Sequence, residues 1–288
     1  ATRSGANGTS HALRGSLVLL LRNGPRWMRC CGLILSAAMT AGGVTSSATP
    51  HAMTPRRVIA LHGKGESRAS FQQRLQPLLD RLDESQLQVT FLEAPWELGS
   101  GGQWWKLPPG VRSYEAESYD GVERSLELLT SEFALGDVYG VIGFSQGAIF
   151  LSFFLAANLQ LRRSGKPAML PRKALLIGSA WPRPYSDVMN ALKALPPREL
   201  ALLGCDSLHV IGNDDSVNPP EQVLPVSACF GDSTIVHTHA GKHIIPVDED
   251  SLAIMSRFLL DGCEEADAME NSGAQAAAPD MRPMQKVV

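Results

Sequence analysis

Apolar positions along the chain follow two rhythms. Short β-type runs stand at Arg57–His62, Leu87–Leu92, Val138–Ile142, Ala174–Ile177, Leu208–Ile211 and Thr234–His237. Between them lie stretches with helical spacing. Ser67 to Leu82 places Phe71, Leu75, Leu78, Leu79 and Leu82 on one face, the i, i+3, i+4 pattern of an amphipathic helix. Val122–Phe133, the strongly apolar Gln146–Leu161 and Ser251–Leu260 are read as helices too. From Trp96 to Tyr119 the chain is rich in Gly, Pro and Trp and has no period, which predicts a long loop of the kind that often carries function. Short apolar strands alternating with helices predict an α/β domain with a mostly parallel central sheet and helices on both faces. Reactive groups in such sheets sit at the carboxyl ends of the strands.

Charge divides the chain. Residues 1–57 hold seven Arg and no Lys, Asp or Glu, and the first carboxylate is Glu66. Three readings of this Arg-, Ser- and Ala-rich leader are open. It has the composition of a transit peptide, which predicts an organelle, plastid or mitochondrion. From Met28 onward, Arg29 and the apolar run to Met39 outline a short secretory h-region, which predicts export. Alternatively Met53, just before the first strand, is the translation start and the protein is cytoplasmic. Arg22, Arg26 and Arg29 interrupt the apolar runs, so no membrane span is expected. Residues 263–288 lack apolar periodicity and read as a disordered tail, leaving 58–262 as the folded domain.

The whole chain carries 26 basic and 29 acidic residues, a net charge of -3. Mild acidity disfavours a nucleic-acid partner. Five Cys with no CxxC pair disfavour a disulfide scaffold. The Gly63-Lys64-Gly65 turn lacks the longer glycine spacing and the Ser or Thr after Lys of a Walker A loop, so nucleotide binding is not expected. Seven His are present, but none forms an HxxxH pair on a helix or joins a Cys, so no metal and no cofactor is expected.

Candidate chemistry gathers at predicted strand ends. Gly143-Phe144-Ser145-Gln146-Gly147 lies between a strand and a helix, the setting of a nucleophile elbow, in which a serine occupies a strained tight turn. A serine hydroxyl needs a base, and the base needs an orienting acid. The chain order Ser, then Asp or Glu, then His is met by Ser145, by Asp214 or Asp215 after the fifth strand, and by His243 after the sixth. His243 is preferred as base because it lies on a Gly-containing loop before the last helix. His237 and His239 are assigned to packing or surface, and His209 to the core. Spacing does not separate Asp214 from Asp215. An oxyanion hole would take one backbone N–H from Gln146 and a second from the loop after the first strand, at Lys64. Trp96, Trp104 and Trp105 are candidates to line an acyl pocket.

With these residues assembled, the sequence resembles the FSH (family of serine hydrolases) group of α/β-hydrolases from about Arg57 to Leu260. The resemblance rests on Leu61-His62-Gly63, Ala94-Pro95, Gly143-Phe-Ser-Gln-Gly147, His209-Val-Ile-Gly212 with Asp215 and Pro219, and His239-x-Gly-x-His243-x-x-Pro246. It implies an α/β-hydrolase fold and hydrolysis of carboxylic esters or thioesters of small molecules by a Ser145–Asp215–His243 triad, without a cofactor. It also favours Asp215 over Asp214, because the family's aspartate follows the glycine by three positions. Two departures stand out: Lys64, where a bulky apolar residue is common, and Lys242, where a glycine is usual before the histidine. The carboxylesterase and acyl-protein thioesterase enzymes share the GFSQG elbow but usually carry a second glycine where this chain has Ala148. An intact hydrolase fold that binds a small ligand without turnover is the reading from another class.

Overall fold

The computed structural model describes residues 55–261. Six parallel strands form one sheet: β1 (Arg56–Leu61), β2 (Leu87–Leu92), β5 (Gly140–Phe144), β6 (Lys173–Ile177), β7 (Asp206–Gly212) and β8 (Thr234–His239), in the order β2-β1-β5-β6-β7-β8. Residues 1–54 of the leader and the tail lie outside the described residues; Arg56, placed by the sequence in the leader, opens β1, and it and Arg57 pair with Leu87 and Gln88. Helices α1 (Arg68–Leu79), α2 (Val122–Ala134), α3 (Gln146–Arg163) and α7 (Glu249–Leu260) occupy the predicted segments. No helix among the described residues is long and apolar enough to cross a membrane.

Strand side chains alternate between two cores, as the period-2 geometry of a sheet requires. Ile59, Leu61, Val141, Ala174 and Leu176 face one side, where α2 and α3 cover them. Val58, Ala60, Ile142, Phe144, Leu175, Ile177, Leu208 and Val210 face the other, under Phe71, Leu75 and Leu78 of α1 and Leu252, Met255, Phe258 and Leu259 of α7. Helix α3 is buried continuously from Gln146 to Gln160, which is why its sequence is apolar around its circumference rather than along one stripe. The two outer helices carry their own start signals. Ser67 accepts from the Ser70 amide and Asp248 from the Ser251 amide, each satisfying an N–H that the first turn leaves unpaired.

Five elements were not expected from the pattern. A small antiparallel hairpin, β3 (Trp96–Leu98) with β4 (Gly101–Gln103), opens the predicted long loop. Helices α4 (Ser186–Lys193), α5 (Pro197–Ala201) and α6 (Pro220–Ser227) fill the connections around β7. All are short, so few apolar positions report a period. The hairpin uses Gly101 and Gly102 because it docks against the turn after β1: the Gly65 amide donates to Gly102 O at 2.7 Å, and the Gly102 amide to Glu66 O at 2.8 Å.

His209, in the middle of β7, is fully buried against Phe230, and neither ring nitrogen has a hydrogen-bond partner among the described residues. Burial pushes its pKa down to about 3. The folded state therefore holds this imidazole neutral, whereas the unfolded chain takes up a proton below about pH 6.5. Its stability contribution is complete above that pH and falls as the pH drops toward 3, by up to about 1.4 kcal/mol per unit. Unfolding free energies from urea titrations at pH 7.5 and pH 5 should thus separate by about 2 kcal/mol more for the wild type than for His209→Leu. Equal separations would mean that the imidazole is solvated or paired in the fold.

Candidate active site

Ser145 follows β5 directly and begins α3. Its backbone, at φ 53 and ψ -117, makes it the one non-glycine residue with positive φ among the described residues. The strain is held in place on both sides: the Ser145 amide donates to Ile177 O at 2.9 Å, and its carbonyl accepts from Ile149 N at 3.0 Å. A side chain at Gly147 would put its Cβ 2.4 Å from Leu61 O, so the elbow can approach β1 only with glycine there. Ser145 also sits at the N-terminus of α3, where the helix dipole favours negative charge.

The other two candidates reach it across the strand ends. His243 Nε2 lies 2.8 Å from Ser145 Oγ, and His243 Nδ1 lies 2.6 Å from Asp215 Oδ2. With Nδ1 donating to the carboxylate, Nε2 is left to accept the serine proton. Asp215 is 4% exposed, and its second oxygen accepts from the Val217 and Asn218 amides, each at 2.8 Å. Burial alone would raise its pKa, but the hydrogen bonds from His243 and these amides, with the nearby imidazole, outweigh it and hold the carboxyl below its ordinary value. Asp214 is exposed, and among the described residues its side chain has no hydrogen bond or ion pair. Lys242 is exposed as well, so the lysine that departs from the expected glycine does not obstruct the loop carrying His243.

Two residues that sequence reasoning did not single out complete this arrangement. Gly178, just after β6, has φ +57, and a Cβ there would lie 3.1 Å from His243 Cε1. Buried Asn218 donates to Gly178 O at 2.7 Å, tying the Asp215 loop to the turn beneath the histidine. The Leu-Ile-Gly run at 176–178 is the only sequence signal for the first, and Asn218 is inconspicuous in a polar turn.

The turn after β1 lies against the nucleophile: a Cβ on Gly63 would be 3.2 Å from Ser145 Cβ. Glu66 Oε2 accepts from the Gly63 amide at 2.8 Å, and its other oxygen pairs with Arg74, whose guanidinium lies 4.6 Å over the Phe144 ring. His62 staples the turn from below. Its Nε2 accepts from the Ala94 amide at 3.1 Å and its Nδ1 donates to Gly63 O at 2.7 Å. The His-Gly and Ala-Pro motifs therefore meet in space. The Lys64 and Gln146 amides, expected as oxyanion donors, have no acceptor among the described residues, and both residues line the cleft at Ser145.

That cleft has a volume of about 370 Å³ and includes Leu107, Val111, Phe144, Ile149 and Val217 on its apolar walls. None of the three tryptophans lines it, which corrects the expectation drawn from their place in the loop. Trp104 and Trp105 are fully buried. The Trp104 indole donates to His62 O at 2.8 Å, and the Trp105 ring stacks on Tyr119 at 4.1 Å. Trp96 packs under the Lys106 ammonium at 3.8 Å. These rings anchor the loop, and Leu107, Val111, Arg112 and Ser113 between the anchors line the cleft. The Gln146 side chain holds the same anchor, accepting from the Trp104 amide at 2.8 Å and donating to Trp105 O at 3.0 Å. Among the described residues, no group of His, Cys, Asp and Glu could hold a metal ion.

The arrangement has relatives. The model of the serine hydrolase (FSH1) family matches residues 52–254. A Danio rerio protein named esterase OVCA2 is 27% identical over 231 residues, covering 71% of this chain and 96% of that protein. Its Homo sapiens namesake is 33% identical over 141 residues, 48% of this chain and 57% of that protein. The Bos taurus namesake is likewise matched over only 57% of its length. Among solved structures, an uncharacterized protein from Bacillus cereus superposes with a TM-score of 0.51 at 15% identity, covering 92% of this chain and 77% of that one. With six parallel strands covered by helices on both faces, the fold is that of the α/β-hydrolases.

Proposed function

This chain belongs to the serine hydrolase (FSH1) family, and we propose that it hydrolyses carboxylic esters or thioesters through an acyl-enzyme formed on Ser145. Esterase chemistry is what the relatives' names carry. The observation that carries the mechanism is the continuous chain from Ser145 Oγ through the His243 ring to Asp215, at 2.8 and 2.6 Å.

In this mechanism Ser145 Oγ attacks the carbonyl carbon while His243 Nε2 takes its proton. Asp215 stabilises the imidazolium and fixes the tautomer. Negative charge on the tetrahedral oxygen is met by the Lys64 and Gln146 amides and by the start of α3. The intermediate collapses and expels the alcohol or thiol, which leaves with the proton from His243. A water then deprotonated by His243 attacks the acyl-serine, releasing the acid and restoring Ser145. No metal or cofactor enters these steps.

Pre-steady-state hydrolysis of matched 4-nitrophenyl esters and aryl thioesters tests this reading. An acyl-enzyme predicts that one leaving-group equivalent per enzyme is released in a burst wherever deacylation is slow, and that adding a competing alcohol diverts product to transesterification. The ester-to-thioester ratio of kcat/KM then assigns the leaving-group class. Hydrolysis with no partitioning to the added alcohol would mean direct attack by water and would overturn the acyl-enzyme.

A further inference from the structure

The charges on the cleft wall are unbalanced. Four charged residues line it: Lys64, Glu66, Arg74 and Arg112. Glu66 and Arg74 are paired with each other, and Glu66 is occupied further by the Gly63 amide, so this pair adds little net field. Lys64 and Arg112 remain. Both are exposed, and among the described residues neither side chain has a carboxylate partner. The carboxylate of Glu115, which does not line the cleft, accepts from the backbone amide of Arg112 at 3.1 Å.

Lys64 and Arg112 approach the nucleophile from different elements. Lys64 stands on the turn after β1 beside Ser145, and Arg112 on the loop between β4 and α2 that forms the outer wall with Leu107 and Val111. Two cations lining one partly apolar cleft concentrate anionic ligands there. The effect is felt within about 8 Å of the charges at physiological ionic strength, a distance comparable with the reach of the two side chains.

We propose, resting on the hydrolase reading above, that the preferred substrates are esters or thioesters bearing an anionic group a few bonds from the scissile carbonyl. The apolar segment of the substrate lies along Leu107, Val111 and Ile149, and Lys64 and Arg112 serve as counter-charges. The anion can belong to the acyl part or to the alcohol or thiol part. The common requirement is a negative charge close to the reacting ester.

Matched substrates that differ only in that charge give the test on the full chain. Monomethyl adipate against dimethyl adipate places the charge on the acyl side. The 4-acetoxybutyrate anion against its methyl ester, followed by acetate release, places it on the alcohol side. At low salt the anionic member of at least one pair is expected to have about tenfold higher kcat/KM, falling toward parity in 0.5 M NaCl. The Lys64→Gln/Arg112→Gln double variant should lose the preference. Because each ratio is taken within one variant, any change in overall rate cancels. Neutral members turned over as well as or better than both anions would overturn the inference and leave the hydrolase reading standing, as would a preference unchanged in the double variant. No turnover of any of the four substrates would overturn the inference alone if 4-nitrophenyl esters are still hydrolysed, and both readings if they are not, with thermal unfolding intact.

Discussion

Ser145→Ala should lose about a million-fold in kcat for ester hydrolysis, as expected when the nucleophile of a cooperating Ser–His–acid set is removed. In the proposed mechanism the effect is this large because the serine supplies the covalent step, and His243 and Asp215 act only through it. The fold should not report the change. Ser145 Oγ makes no capping bond to α3, and alanine at φ 53 bears the same backbone strain as serine. Thermal unfolding is therefore expected within about 1 kcal/mol of wild type, and the residual hydrolysis is what the oxyanion donors and binding alone provide. Continuous assay with a chromogenic ester, alongside thermal unfolding, checks both parts. Activity within tenfold of wild type would remove Ser145 from the mechanism.

Asp215→Asn should cost about 10⁴-fold near neutral pH. An asparagine keeps an oxygen for the Val217 and Asn218 amides, so the turn should survive. Its NH₂ would then face His243 Nδ1, which must turn from donor to acceptor. The ring proton moves to Nε2 and points at Ser145 Oγ, where an acceptor is required. Asp214→Asn removes an exposed carboxylate and should change kcat by less than about threefold. The pair of variants, measured by pH–rate profile, thus decides between the two aspartates that sequence spacing left open. A larger loss at Asp214 than at Asp215 would contradict the geometry.

The sheet was legible because its strands are short apolar runs at regular intervals, and buried parallel strands need nothing else. Ser145, Asp215 and His243 were legible as residue types in order, each just past a strand. Asp214 and Asp215 were not separable by spacing; their difference is burial and two amide bonds, which depend on how the turn closes over Asn218. The tryptophans were misread because position in a loop says nothing about direction. Trp104 and Trp105 follow a hairpin that turns them inward, where the His62 carbonyl and Tyr119 receive them. The hairpin itself was hidden, since its three glycines give no alternation. Gly178 shows the same limit: its importance comes from His243, sixty-five residues later in the chain.

In the proposed mechanism His243 and Asp215 activate Ser145 as a nucleophile. Treating the full chain and its Ser145→Ala variant with a fluorophosphonate, then mapping the adduct by mass spectrometry, tests it most directly. A single adduct on the Ser145 peptide of the wild type and none on the variant is the expected result. A folded wild-type protein that takes up no probe, or carries it on another residue, would contradict the claim and favour a hydrolase fold used for binding alone.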